Sequence, residues 1–103
     1  MKAAAISITF DRERIATFCR AHGISRLSLF GSVLREDFDP ARSDIDVLAD
    51  FGPDALRDVG FRYFGYADEL AEILGHRVDF CSRLHPALER QVRQEAVPIY
   101  EQA

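Results

Sequence analysis

The chain has 103 residues, of which 48% are hydrophobic and 29% charged, and its formal net charge is −4 at pH 7. This length and composition predict one globular domain over residues 1–103 with a single small core. The acidic balance argues against general nucleic-acid binding, which needs a basic surface. The sequence shows neither a signal-peptide pattern nor an apolar run of membrane-spanning length, so we expect a cytoplasmic protein.

The first predicted element is an amphipathic helix over residues 12–22. Asp11 is suited to the N-cap position and Gly23 to the end of the helix. Residues 1–10 alternate only weakly and form either a frayed end or an added edge segment. The apolar side chains of the helix recur at helical spacing, as Ile15, Phe18 and Cys19.

Two predicted strands flank a polar loop in the middle of the chain. The first strand covers about residues 26–30 and is followed by a short helix that begins at Ser32 and ends before Asp39-Pro40. The second strand covers residues 45–51. Alternation places Ile45, Val47, Ala49 and Phe51 on one face, and Asp46, Leu48 and Asp50 on the other, with Asp50 interpreted as solvated.

The start of the second strand carries two carboxylates on one face. Asp44 and Asp46 are two residues apart, and side chains at that spacing point the same way. Such carboxylates repel each other unless a cation lies between them, and oxygen ligands are those that Mg²⁺ prefers. Gly31 leaves room for a phosphate at the backbone, and Ser32 can donate to a phosphate or cap the next helix. These features predict phosphoryl or nucleotidyl transfer.

A long helix is predicted over residues 55–74, with a break near Gly60 as the alternative. Gly75 is expected to end this helix. Phe61 and Tyr66 lie away from the apolar stripe, and we interpret them as part of a surface for another protein, either a second copy of the chain or a different partner. The stripe expected to face the sheet consists of Tyr63, Ala67, Leu70 and Leu74.

The remaining predicted elements are a strand over residues 77–82, a helix over residues 86–96 and an extended segment over residues 97–100. Leu88 and Val92 are expected to face inward from the last helix. The alternation of helices and strands predicts an α/β fold, with a small mixed sheet of three or four strands and helices mainly on one face. The carboxylates would then lie on the open face.

These residues also resemble the signature of a known family. Gly31-Ser32, Arg35 and the segment Ser43–Asp46 are similar to the motif of the minimal nucleotidyltransferases, a branch of the polymerase-beta-like nucleotidyltransferase superfamily. The family has a third carboxylate after a Leu-Gly pair, and the matching segment Leu74–Phe80 makes Asp79 that residue. The resemblance covers about residues 15–100. It implies a metal-binding and catalytic role for Asp44, Asp46 and Asp79, and nucleotide contacts for Gly31, Ser32, Arg35 and Ser43.

The resemblance implies a function in the same way. It implies a nucleotidyltransferase that uses two Mg²⁺ ions to move a nucleoside monophosphate, AMP from ATP, to a hydroxyl group. Small proteins of this family are commonly antitoxins of HEPN-family ribonuclease toxins, and some attach AMP to a toxin tyrosine. Two alternatives stay open. The chain could be a non-catalytic antitoxin that acts by binding alone, or it could transfer the nucleotide to a small molecule.

Overall fold

The computed structural model describes residues 8–102. The segment predicted over residues 1–10 therefore lies outside the described residues except for residues 8–10, which are neither helix nor strand. The helices are α1 (Arg12–His22), α2 (Tyr66–Leu74) and α3 (Pro86–Glu95), and the strands are β1 (Ile24–Phe30), β2 (Ile45–Phe51), β3 (Val78–Cys81) and β4 (Val97–Glu101). Two 3₁₀ helices cover Gly31–Leu34 and Gly60–Gly65. None of the described helices combines the length and the apolar character needed to cross a membrane.

The four strands form one mixed sheet in the order β3-β2-β1-β4. β1 is antiparallel to both of its neighbours, whereas β2 and β3 are parallel. The predicted α/β class and mixed sheet are confirmed, and the fourth strand is the C-terminal segment that was predicted only to be extended. α1 also begins and ends as predicted, because the Asp11 side chain accepts from two backbone N–H groups and Gly23 is left-handed.

The core lies between one face of the sheet and the helices α1 and α2, which contact the sheet and each other. The predicted inward face of β2 is confirmed for Ile45, Val47 and Ala49, which are buried. Leu48 is also buried, but it lies on the opposite face, outside the main core cluster. Burial of such apolar side chains contributes most of the free energy of folding.

α3 crosses the opposite face of the sheet. The β2–α2–β3 and β3–α3–β4 connections run in opposite directions across the sheet, so right-handed crossovers place their helices on opposite faces. The contacts agree, because Arg93 of α3 donates to both oxygens of Asp50, at 2.7 and 3.2 Å. The interpretation of Asp50 as a solvated residue is therefore wrong. The open face is covered at the Asp50 end and exposed towards Asp46.

The predicted continuous helix over residues 55–74 is wrong. The chain forms turns over residues 53–58, then the 3₁₀ helix Gly60–Gly65, and becomes α-helical only at Tyr66. The physical reason is visible in the backbone, since Asp58 (φ 59°) and Gly60 (φ 58°) both adopt the left-handed conformation. Residues in that region cannot continue a right-handed helix. The alternative of a break near Gly60 is confirmed.

Two predicted orientations are also wrong. Tyr66 is buried rather than part of a surface, because it lies four residues before the buried Leu70 and shares its face of α2. Its ring packs against Phe18 and Phe80. Leu88, predicted to face inward, is 55% exposed, and no residue of α3, which the structure describes throughout, is buried. Phe61 is exposed as predicted.

The first testable prediction compares two leucines on helices that face opposite sides of the sheet. Leu70→Ala should lower the free energy of unfolding by about 2–5 kcal/mol, because a fully buried side chain leaves a cavity. Leu88→Ala, at an exposed position, should change it by less than about 0.5 kcal/mol. Urea denaturation followed by circular dichroism measures both. Equal losses in the two variants would show that α3 packs far more tightly than the structure shows.

Candidate active site

Strand register brings two of the predicted carboxylates side by side. Asp46 of β2 is the direct partner of Asp79 in the neighbouring parallel strand β3. Asp46 is also the direct partner of Phe30, the last residue of β1. This pairing places the start of the Gly31–Leu34 helix next to the Asp46 carboxylate. Three segments distant in sequence therefore meet at one end of the open sheet face.

The carboxylates create a strongly negative environment. Burial, followed by the charges of Asp79 and Asp44, raises the pKa of Asp46 above its usual value of 3.8. The thiol of Cys81, two residues after Asp79, responds to the same field. Burial, and after it the charges of Asp79 and Asp46, raises the pKa of Cys81. The site is thus suited to a cation, which would lower the repulsion between its carboxylates.

Gly31 lies against the Asp46 carboxylate. A side chain at this position would collide with the carboxylate oxygen Oδ2 of Asp46. Its backbone is also left-handed, with φ of 76°, a conformation that favours glycine. The left-handed backbone favours glycine, and a side chain here would force the Asp46 carboxylate to move. Gly31 is exposed, so its backbone lies at the surface beside this carboxylate, where the sequence predicted a phosphate.

Asp44 makes a contact that the sequence reasoning missed. Its Oδ1 accepts a hydrogen bond of 2.7 Å from Nε of Arg77, the residue just before β3. The backbone carbonyl of Arg77 accepts from the N–H of Ile45 at 2.9 Å, so the strand ladder fixes Arg77 beside Asp44. The signal in the sequence was the position of Arg77 two residues before Asp79. Using that signal required the register of β3 against β2.

The donor set fits a magnesium ion better than a transition metal. The three predicted ligands, Asp44, Asp46 and Asp79, offer oxygen atoms only, which suits Mg²⁺. Among residues 8–102, however, no group of three or more His, Cys, Asp or Glu side chains is arranged to hold a metal ion. Asp44 is engaged by Arg77. The residues therefore fit the ion in kind, and Oδ1 of Asp44 is occupied by the contact with Arg77.

The other predicted nucleotide contacts lie on the loop after β1. Ser32 lies within the 3₁₀ helix Gly31–Leu34, after its N-cap residue Phe30, so its alternative role as the helix cap is wrong. Arg35 forms a two-pronged ion pair with Asp37, with distances of 3.0 and 2.9 Å, and is exposed. Ser43 is half-buried next to Asp44. Roles for Ser32, Arg35 and Ser43 in phosphate binding stay predictions.

Comparison with protein families and curated proteins gives a consistent result. The family model described as nucleotidyltransferase domain matches residues 12–99. A proposed protein adenylyltransferase of Methanocaldococcus jannaschii is 36% identical over 98 residues, and the match covers 91% of this chain and 99% of that protein. The match with this relative extends over almost the whole length of both chains.

Two crystal structures share the fold. One is a toxin–antitoxin with AMP-PNP, with a TM-score of 0.65 and 20% identity over 89% of this chain and 74% of that chain. The other is the toxin–antitoxin MntA–HpeT with two Asp-to-Glu substitutions, with a TM-score of 0.66 and 18% identity over the same shares, 89% and 74%. At these identities the similarity establishes the fold alone.

The second prediction concerns how the ionisation of Asp46 affects the free energy of unfolding in the absence of metal. Its raised pKa means that the folded state binds the Asp46 proton more tightly than the unfolded state, so ionisation lowers the free energy of unfolding. Asp46→Asn removes that ionisation. We expect the variant to have a higher melting temperature than wild type in chelator at about pH 7.5, and the gain to shrink as the pH falls towards the usual aspartate pKa of 3.8.

The matched control is Glu72→Gln, the same carboxylate-to-amide change at an exposed position of α2. Its effect on the melting temperature should be small and should lack this pH dependence. If Asp46→Asn instead destabilises the metal-free protein at neutral pH, the unfavourable effect of burial and neighbouring charge inferred at Asp46 is absent.

Proposed function

The chain belongs to the nucleotidyltransferase domain family, and we propose that it transfers AMP from ATP to a hydroxyl group, releasing pyrophosphate. The observation that carries this proposal is the register that sets Asp46 against Asp79 and beside Gly31. That arrangement joins a carboxylate cluster to a stretch of exposed backbone where phosphates can approach. The name of the relative as a proposed protein adenylyltransferase supports AMP as the transferred group.

The residues have separate roles in this reaction. Asp44, Asp46 and Asp79 would hold two Mg²⁺ ions, which when bound stabilise charge on the attacking and leaving oxygens. Gly31 and Ser32 would bind the outer phosphates. The acceptor oxygen bonds to the α-phosphorus while the bond from that phosphorus to the β-bridging oxygen breaks. The acceptor's proton passes to a carboxylate, for which the exposed Asp79 is our candidate.

The proposed acceptor is a tyrosine of a HEPN-family toxin, with this chain acting as the antitoxin in the cytoplasm. The two structures compared above are toxin–antitoxin proteins that share the fold, and one of them is with AMP-PNP. The substituted aspartates of the MntA–HpeT structure are two positions apart, as Asp44 and Asp46 are in this chain. The open sheet face beside Asp46 would admit a protein-sized acceptor.

A second candidate function is inhibition of the toxin by contact alone. The observation that favours it is an aromatic patch formed by Phe61 and Phe64, which are 90% and 71% exposed. Their ring centroids are 6.4 Å apart, so the two rings form one surface. Exposed aromatic side chains are enriched in binding surfaces. The patch serves either candidate, since a transferase must also hold its toxin.

The third prediction tests transfer directly. Incubation of the protein with Mg²⁺, labelled ATP and the product of the adjacent gene should give that product a mass gain of one AMP. Because even indirect partners of a metal site change activity by about 10- to 100-fold, Asp79→Asn should slow transfer by more than about 100-fold. ATP binding should survive in this variant, since Asp44 and Asp46 remain. Rates come from mass spectrometry over time, and binding comes from calorimetry.

Glu72→Gln again serves as the control and should retain the wild-type rate. Loss of ATP binding in Asp79→Asn with its turnover unchanged would contradict the role given to Asp79. If wild type inhibits the toxin without any AMP on it, inhibition by contact alone becomes the function.

The fourth prediction tests the aromatic patch. Phe61→Ala should weaken association with the toxin by about fivefold or more, because truncation of an aromatic anchor costs more than about 1 kcal/mol. Its melting temperature should stay at the wild-type value, since Phe61 is 90% exposed. Leu88→Ala, an exposed apolar side chain on α3, is the control and should leave association unchanged. A melting temperature several degrees lower, with association intact, would place Phe61 in the core.

A further inference from the structure

Arg77 is the cation nearest to the proposed metal ligands in the described contacts, and the proposed function gives it no role. It donates from Nε to Oδ1 of Asp44 at 2.7 Å. The side chains of Arg77 and Asp44 are 65% and 48% exposed, so water surrounds their ion pair. Exposed pairs contribute little to stability. The contact is therefore easily exchanged for a stronger one.

The position of Arg77 is nevertheless fixed by the sheet. Its carbonyl accepts from the N–H of Ile45, the first residue of β2, so the parallel ladder between β2 and β3 includes the residue just before β3. The backbone of Arg77 is thereby anchored, while its long side chain is free to reorient. Asp44 precedes β2 by one residue, so its side chain also lies at the rim of the site.

The charges explain why an exchange is favourable. The charges of Asp44 and Asp79 both act on Asp46, and Arg77 places a positive charge against Asp44. A divalent cation at Asp44 would repel the guanidinium from the oxygen that both cations use. A triphosphate brings negative charge to the same place, and guanidinium groups form two-pronged hydrogen bonds with phosphate. The free arginine would then have a new partner close by.

We propose that Arg77 is a positioning and nucleotide-binding residue, which neutralises Asp44 in the free protein and moves from Asp44 to the phosphates of the nucleotide when a divalent cation binds. This inference rests on the proposed function and adds a residue to it. It also agrees with the absence of a formed three-carboxylate site among the described residues, because Arg77 engages Asp44.

The test measures two affinities that the inference moves in opposite directions. In Arg77→Gln, Mn²⁺ alone should bind about two- to fivefold more tightly than in wild type, because a competing cation is removed. In excess Mg²⁺, a non-hydrolysable ATP analogue should bind about tenfold more weakly, because charge-assisted hydrogen bonds to phosphate are lost. Isothermal titration calorimetry measures both, without any need for turnover.

Two further variants sharpen the result. Arg77→Lys keeps the positive charge but cannot form the two-pronged hydrogen bonds of a guanidinium group. Its Mn²⁺ affinity should therefore stay close to that of wild type, while part of its affinity for the analogue is lost. Arg14→Gln makes the same charge change on α1, across the sheet from the site, and should change neither affinity. Thermal melting checks that all variants fold, as the exposure of Arg77 leads us to expect.

The outcomes separate this inference from the proposed function. Tighter Mn²⁺ binding together with weaker analogue binding supports it. Unchanged or weaker Mn²⁺ binding in Arg77→Gln overturns the exchange at Asp44, and unchanged analogue binding overturns the phosphate contact. If wild type binds neither Mn²⁺ nor the analogue, the proposed function fails and this inference fails with it.

Discussion

The burial of Asp46 beside the charges of Asp79 and Asp44 is the constraint on which the site at this end of the sheet depends. Asp46 cannot move away from Asp79, because both are direct partners in the parallel ladder. Folding must therefore overcome the unfavourable charge at Asp46, whose pKa is raised. The buried residues on the other face of the same strand, such as Ile45 and Val47, supply the compensating free energy. One strand thus joins the core to a destabilised site.

The two faces of the sheet are covered very differently, and this follows from the topology. α1 and α2 seal the core face, with residues such as Leu70 fully buried. On the other face, no residue of α3 is buried, and Arg93 of this helix donates to Asp50 of β2. A helix attached in this way covers one end of the face and leaves the Asp46 end open. The order of strands therefore determines both where the site lies and how accessible it is.

Local patterns predicted the parts of the fold that depend on local physics. The alternation of β2, the N-cap Asp11 and the terminating Gly23 were all readable, because each depends only on neighbours in sequence. Leu88 was misjudged, because helical periodicity shows which side chains share a face and not whether another element covers that face. The contact between Arg77 and Asp44 joins residues 33 positions apart and depends on strand register. Register is a property of the assembled sheet, so single segments do not reveal it.

Ion pairs between arginine and aspartate bear on how an acidic protein receives an anionic nucleotide. Arg77 is paired with Asp44 at the site, and on the loop between β1 and β2 two further arginines are paired in the same way, Arg35 with Asp37 and Arg42 with Asp39. All three pairs are exposed to solvent. Because exposed pairs are weak, exchanging an aspartate for a phosphate costs little free energy. Nucleotide binding would then proceed by exchange of partners, with the released aspartate at position 44 becoming available to a cation.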